Sequence, residues 1–318
     1  MNISYAINEI RENWHDTDWV HQRIEHRIAG PVMSAIHGSD GLDYMSQDWD
    51  NLLILDATRA DMFEELFDTS QFDSYRRVDS VGCSSPEWMR KTFDDRSFPD
   101  TVFVSANPWI SKIAPNSFHH VENLWTTVNE VDEKELQDAV TLQDVDTNND
   151  TIPASALTDV ALDIAEEYPN KRLIVHYFQP HAPCIGLPDG SEKDEEDVNK
   201  DVHPGRTLKN GVVSRDEVWN QYLDNLSYAY YHAKRFNDNV NGKTVYTADH
   251  GEMFGEWCLP VPIRGYGHPS SLRHPKLTTV PWAVSDGERR KIVSGDINEH
   301  DADRSDIDDR LRNLGYRV

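Results

Sequence analysis

The sequence predicts an α/β fold: a mostly parallel central sheet with helices on both faces and a helical extension at the N-terminus. Three observations predict it. The run Asn51-Leu52-Leu53-Ile54-Leu55 is continuously apolar after its first residue, as in a parallel strand covered on both faces. Similar runs recur at 101–105, 172–178 and 244–248, rich in β-branched and aromatic residues. Helical patterns separate them, and at 318 residues the chain fits one large domain with insertions.

Taken in order, residues 1–46 read as a helical extension and residues 47–318 as the main domain. Ile3, Ile7, Ile10 and Trp14 fall at helical spacing, and Val20, Ile24 and Ile28 continue the apolar face. This helix packs on the domain or serves as an interfacial or partner-binding helix. The strand at 51–55 ends in Asp56, and a helix starts at Thr58-Arg59-Ala60-Asp61. Asp56 is placed either to bind a metal or to cap that helix. Arg59 and Asp61 read as ion pairs of the helix start.

In Gly82-Cys83-Ser84-Ser85-Pro86, Gly82 permits a tight turn, Ser85 reads as an N-cap and Pro86 as the first helical residue. A hydroxyl or thiol there faces free backbone N–H groups, a suitable setting for attack on an anionic ester. A plain serine cap is the alternative. After the strand at 101–105, residues 115–150 are polar and acidic and read as a rim insertion. It holds a possible strand at Val140-Thr141-Leu142 and a surface pair, His119-His120. Residues 153–168 form an amphipathic helix.

The strand at 172–178 runs into Gln179-Pro180-His181-Ala182-Pro183. Two prolines hold His181 in an extended turn, which suits a fixed polar group at a pocket mouth. Residues 184–214 read as a long loop with a solvated charge run. A helix over 216–240 leads to the strand at 244–248. That strand ends in Asp249-His250-Gly251-Glu252, a carboxylate and an imidazole beyond its carboxyl end, where metals and ligands bind in open α/β sheets. Gly265-Tyr266-Gly267-His268 reads as a glycine-rich turn. Residues 278–284 form a strand in which Pro281 suits a start or edge. Residues 305–314 form a last helix stopped by Gly315.

The charge balance narrows the partners. There are 56 acidic and 31 basic residues, for a net charge of −25. Such a surface repels nucleic acid and anionic membranes, and it suits solubility in concentrated salt, pointing to a halophilic source. The three cysteines, Cys83, Cys184 and Cys258, are too few and too scattered for a disulfide framework. With no leader pattern at Met1-Asn2-Ile3-Ser4-Tyr5 and no transmembrane run, a reducing, cytoplasmic location is expected.

The succession of these segments resembles the sulfatase/alkaline phosphatase superfamily. Residues 51–61 resemble its first strand and metal-binding aspartate, and Tyr246-Thr247-Ala248-Asp249-His250-Gly251-Glu252 resembles its second metal motif. Gln179-Pro180-His181-Ala182-Pro183 and Gly267-His268 resemble its histidine segments, and Leu311–Tyr316 resembles a common C-terminus. The resemblance covers roughly residues 48–318 and implies an alkaline-phosphatase-like fold. It implies that Asp56, Asp249 and His250 bind one divalent cation, with the nucleophile's oxygen completing the site. It also implies that His181 and His268 hold the substrate's anionic oxygens or protonate its leaving group. The substrate would be an anionic phosphate or sulfate ester, possibly on a glycan or lipid headgroup.

Departures from the family refine this. Formylglycine formation needs a cysteine with proline two places on and arginine four places on. Cys83 is followed there by Ser85 and Glu87. An unmodified hydroxyl is therefore expected, favouring phospho- over sulfo-esters. Relatives with Gly-x-x-Thr-Pro select Ser85, alignment on the sulfatase proline selects Ser84, and Cys83 is a third choice. Ala57 and His250 stand where calcium sulfatases carry Asp and Asn, so zinc or manganese is favoured over calcium. The other function class is a degenerate, non-catalytic member that binds a glycan, a lipid headgroup or a protein. A phosphomutase-like enzyme would need a second metal site that the sequence does not supply.

Overall fold

The computed structural model describes residue 9 and residues 11–124, 152–182, 204–270 and 272–297. The expected strand at 140–142, the helix at 305–314, Cys184 and the C-terminal motif lie outside them, as do Ile3, Ile7 and Ile10.

The chain enters through helix α1 (Thr17–Ile24), a π-helical turn (Glu25–Ala29) and α2 (Gly30–His37). Asp16 caps α1 by accepting from the backbone N–H groups of Asp18 and Trp19. Ala29 and Met33 bury against Cys83, Met253, Cys258, Val261, Leu272 and Leu277. The expected apolar face is only partly used: Trp14 and Ile28 are exposed.

The sheet then builds through β1 (Asn51–Leu55), helix α3 (Ala60–Leu66), β2 (Ser74–Asp79), helix α4 (Ser85–Phe93) and β3 (Phe98–Ser105). Helix α5 (Trp109–Ile113), β4 (Phe118–Asn123), helix α6 (Ala154–Glu167) and β5 (Arg172–Tyr177) follow. Helices α7 (Pro204–Lys209) and α8 (Arg215–Asn239) lead to β6 (Thr244–Thr247). The hairpin β7 (Met253–Trp257) and β8 (Arg264–Gly267), helix α9 (Pro275–Thr278) and β9 (Thr279–Ser285) close the described fold. Seven strands form one sheet in the order β2-β9-β6-β1-β5-β3-β4. The pairs among β6, β1, β5, β3 and β4 are parallel, and β9 runs antiparallel to both β6 and β2.

Helices cover both faces, as the apolar strands require. Leu53, Leu55, Val102, Val104, Val175 and Tyr246 pack with residues of α3, α6 and α8 on one side. Leu52, Ile54, Phe103, Ile174 and Val245 pack with Trp88, Met89 and Phe93 of α4 and with Trp109 and Ile110 on the other. Ser214 starts α8 with a capping box to Glu217. Among the described residues, no helix is long and apolar enough to cross a membrane.

Several readings change. Residues 118–123 are not rim but edge strand β4, carrying His119 and His120. The expected loop at 184–214 contains α7 in its described part. Gly265–Gly267 lies in β8 rather than a turn, paired with β7. Strand β2 was not anticipated, because its Ser-Tyr-Arg-Arg-Val-Asp pattern is largely solvent-facing. Pro281 sits in an interior strand, between β2 and β6, not at an edge. It is tolerated there because the β6 pairing ends at Thr247 opposite Trp282, one residue short of Pro281.

Candidate active site

Strands β1 and β6 are neighbours in parallel register, Asn51 opposite Thr244 through Ile54 opposite Thr247. Their carboxyl ends therefore deliver Asp56 and Asp249 side by side, both fully buried. Ala57 turns the chain with φ at 60°, a left-handed conformation uncommon outside glycine. Its N–H then donates to Asp249 Oδ1 at 3.2 Å, as does the His250 N–H at 2.9 Å. Ser80 Oγ and Tyr44 OH fix the turn from below, donating to the carbonyls of Asp249 and Ala248. At Gly251 a Cβ would lie 2.3 Å from the Lys276 carbonyl oxygen, so glycine alone lets the loop pass.

Each carboxylate has one oxygen satisfied and one left over. Asp56 Oδ2 accepts from Ser85 Oγ at 3.1 Å and Asn107 Nδ2 at 2.9 Å. Asp56 Oδ1 and Asp249 Oδ2 are buried and have no hydrogen-bond partner among the described residues. They lie 3.6 and 3.5 Å from His250 Nε2. His250 Nδ1 sits 2.8 Å from the Gly251 carbonyl, which assigns the proton to Nδ1 and turns the Nε2 lone pair inward. Three acceptors thus converge, all within 4.8 Å of one another. A buried cluster of this kind is costly unless a cation fills it. Two carboxylate oxygens, an imidazole nitrogen and a nearby hydroxyl suit zinc or manganese better than an all-oxygen calcium cage.

The three nucleophile candidates separate. Ser85 Oγ joins the cluster, 3.2 Å from His250 Nε2. Ser84 Oγ faces away, 2.8 Å from Ser270 Oγ. Cys83 belongs to the core beneath α2, and burial pushes its thiol up to about 12, so the reactive thiolate is scarce. The cap assignment shifts by one residue: Ser84 is the N-cap and Ser85 the first residue of α4, with Pro86 second. The reason is the extended backbone of Ser84, whose carbonyl accepts from the Trp88 N–H. Asp56 caps nothing, since Arg59 occupies the N-cap of α3. Arg59 pairs with Asp61 and with Glu256, so the expected ion pair is present and reaches farther.

His181 and His268 lie beside each other, ring centroids 4.9 Å apart, and the His268 ring lies 4.8 Å from that of His250. His181 is buried, and Asn225 Nδ2 donates to the Pro180 carbonyl at 3.0 Å to hold its turn. His268 Nδ1 is 2.7 Å from Glu252 Oε2. Burial alone would lower the His268 pKa, but the Glu252 carboxylate, with Asp56 and Asp249 behind it, holds it above the usual value. Burial alone would raise Asp56. The contact with His176 and the neighbouring imidazoles of His181 and His250 outweigh it and keep Asp56 below the ordinary carboxylate range.

Three residues of this region escaped the sequence reading as site residues: Glu252, Asn107 and His176. Glu252 stood within the quoted motif without a role. Asn107 follows the carboxyl end of β3, the same rule that selected Asp56, and that was a usable signal. His176 interrupts an otherwise apolar and aromatic run, Leu173-Ile174-Val175-His176-Tyr177-Phe178.

The fold and site define an α/β protein with a cation-ready cluster at the carboxyl ends of its parallel strands. No protein-family model and no curated protein sequence matches the chain. Solved structures do resemble it. One is the integral membrane protein lipooligosaccharide phosphoethanolamine transferase A (EptA) from Neisseria meningitidis, at 14% identity and a TM-score of 0.48, covering 74% of this chain and 47% of that one. The chain thus spans about half the length of that protein. The soluble domain of the same transferase matches at 14% identity and a TM-score of 0.45, over 74% of this chain and 75% of that one. The C-terminal periplasmic domain of EptC from Escherichia coli, in complex with Zn, matches at 13% identity and a TM-score of 0.44, over 79% and 76%.

The cytoplasmic location expected from the sequence is corrected by these likenesses, which are to an integral membrane protein and to periplasmic domains. Scarce cysteines were a weak guide to compartment: Cys83 and Cys258 are buried free thiols, shielded from any redox environment.

Proposed function

We propose that the chain is a metal-dependent phosphoester transferase or hydrolase of the sulfatase/alkaline phosphatase superfamily, with Ser85 as its nucleophile. The observation that carries this is the position of Ser85 Oγ. It stands 3.1 Å from Asp56 Oδ2 and 3.2 Å from His250 Nε2, at the edge of the buried acceptor cluster. Asp56, Asp249, His250 and Ser85 would hold one zinc or manganese ion. Such an ion, when bound, lowers the pKa of an adjoining hydroxyl and offsets charge on a transferring phosphoryl group.

The chain's own residues supply the rest. Ser85 starts α4, so its oxygen lies at the positive end of a helix, where an anionic ester is favoured. Asp56 Oδ2 orients the Ser85 hydroxyl for attack on phosphorus. His268, its positive form favoured by Glu252, protonates the departing oxygen, and His181 hydrogen-bonds the ester's anionic oxygens. The phosphoryl group held on Ser85 then passes to water or to an acceptor alcohol, whose proton goes to the now neutral His268. The neighbour's printed substrate, a lipooligosaccharide, supports a glycan or lipid headgroup as the ester carried here. We also infer that the enzyme works in concentrated salt, where its net charge of −25 is screened.

The test is hydrolysis of p-nitrophenyl phosphate, bis-p-nitrophenyl phosphate and p-nitrophenyl sulfate with added zinc or manganese. Turnover should depend on the metal and fall by at least ~100-fold in Ser85→Ala and Asp249→Ala. Mass spectrometry should find the phosphoryl adduct on the peptide containing Ser85. Turnover that survives Ser85→Ala would remove Ser85 from its role. Bound metal with no turnover on any ester would favour a binding protein.

A further inference from the structure

His176 lies in the central strand β5, opposite Ile54 of β1, and is fully buried. Its ring stands edge-on to Trp88 and Phe103, with centroids 6.0 and 6.2 Å away. Neither of its nitrogens has a hydrogen-bond partner among the described residues. Nothing about packing alone calls for an imidazole here. On this face Ile54, Phe103 and Ile174 are hydrocarbon, and Ser105, opposite His176 on β3, commits its hydroxyl to the backbone of Asn107. A buried imidazole with two unsatisfied nitrogens is costly, so a phenylalanine would stabilise the fold better.

Its Nε2 nevertheless points at the two carboxylates of the acceptor cluster, 3.5 Å from Asp56 Oδ2 and 3.8 Å from Asp249 Oδ2. Asp56 is therefore approached by different histidines through its two oxygens: Oδ1 faces His250 and Oδ2 faces His176. The arrangement matches outer-shell groups that orient metal-ligating carboxylates by hydrogen bonding.

We propose that His176 is a positioning residue for the metal centre, donating from Nε2 to Asp56 Oδ2 so that the free oxygen of Asp56, Oδ1, stays turned towards the cation. This deepens the function proposed above and rests on its metal reading. His176 does not touch the substrate and takes no part in the group transfer. Asn107 acts beside it on the same Asp56 oxygen, at 2.9 Å, from just past the end of β3, the strand next to β5.

The test measures zinc affinity by competition with a chromophoric chelator, together with thermal melting of the metal-free chain. His176→Phe keeps a ring between Trp88 and Phe103 and removes the donor. His176→Gln keeps an amide N–H near the place of Nε2. His176→Phe is expected to weaken zinc by roughly 10–100-fold while the metal-free melting temperature stays level or rises. His176→Gln is expected to recover most of that affinity. Nitrogen-15 spectra of the unmutated chain add a reading that needs no variant: His176 should carry a proton on Nε2 and be free of metal.

Wild-type affinity in His176→Phe overturns the proposal, as does a Gln variant no better than Phe. A tautomer protonated at Nδ1, or a metal-bound Nε2, overturns it even if neither variant folds. A wild-type chain that binds neither zinc nor manganese defeats the metal reading itself, which is a separate result.

Discussion

Ala57 carries the turn that joins the two halves of the acceptor cluster. With φ at 60°, its Cβ crowds the backbone, a conformation that costs an alanine about 1–2 kcal/mol. Ala57→Gly should relieve this, leaving the melting temperature level or raised, because glycine's greater unfolded-state entropy offsets part of the gain. Ala57→Val should unfold the turn instead, lowering stability by ~2 kcal/mol or more and zinc affinity with it. Calorimetry and chelator competition would check both. Asn107 gives a second residue-scale prediction. Its Nδ2 bond to Asp56 is buried, so Asn107→Ala should weaken zinc by roughly tenfold or more while the sheet stays intact. Asp56, Asp249, His250, Ser85, His181 and His268 were legible in the sequence because each sits where an apolar run or a helix ends, or between punctuating prolines and glycines. Asn107 carried the same signal, a polar side chain just past the end of a strand, but its link to Asp56, like that of His176, depends on β5 lying between β1 and β3, and strand order is not visible in a local pattern.

Helices and strands tell the same story at the next scale. Strands covered on both faces announced themselves as apolar runs, whereas β2, β4 and the β7–β8 hairpin did not. Their polar and glycine positions look like loop until a partner strand is known. Helix α4 owes its place to Gly82: a Cβ there would stand 2.4 Å from the Trp88 backbone nitrogen. Gly82→Ala should therefore displace the start of α4 and with it Ser85. Activity should be lost together with ~2 kcal/mol or more of stability, readable by denaturant titration. The π-helical turn supplies a pH prediction. Burial of Glu25 pushes its pKa from 4.5 up to about 7. The folded state then holds that proton more tightly than the unfolded chain. The turn's contribution is full below about 4.5 and is lost as pH rises through about 7. Glu25→Gln should raise the melting temperature at pH 8, by the equivalent of roughly 1–3 kcal/mol, and leave it unchanged at pH 4.

Across the whole molecule the dominant quantity is charge. A net charge of −25 repels itself in the compact state more than in the expanded one. Raising potassium chloride from about 0.1 M to about 2 M shortens the screening length to a few ångströms. The melting temperature should climb by several degrees over that range, and a flat response would show that surface repulsion is already balanced by ion pairs. The register of the sheet has a consequence of another kind. Asp56 lies five residues beyond Asn51 and Asp249 five beyond Thr244, and those two residues face each other across β1 and β6. The acceptor cluster is thus an address reached by equal counts along two parallel tracks. Deleting one residue from either track would leave a buried, apolar strand that still pairs, yet would carry its carboxylate to the opposite face of the sheet. Sequence drift in this fold is free to change what fills the strands, while their lengths are fixed by the chemistry at their ends.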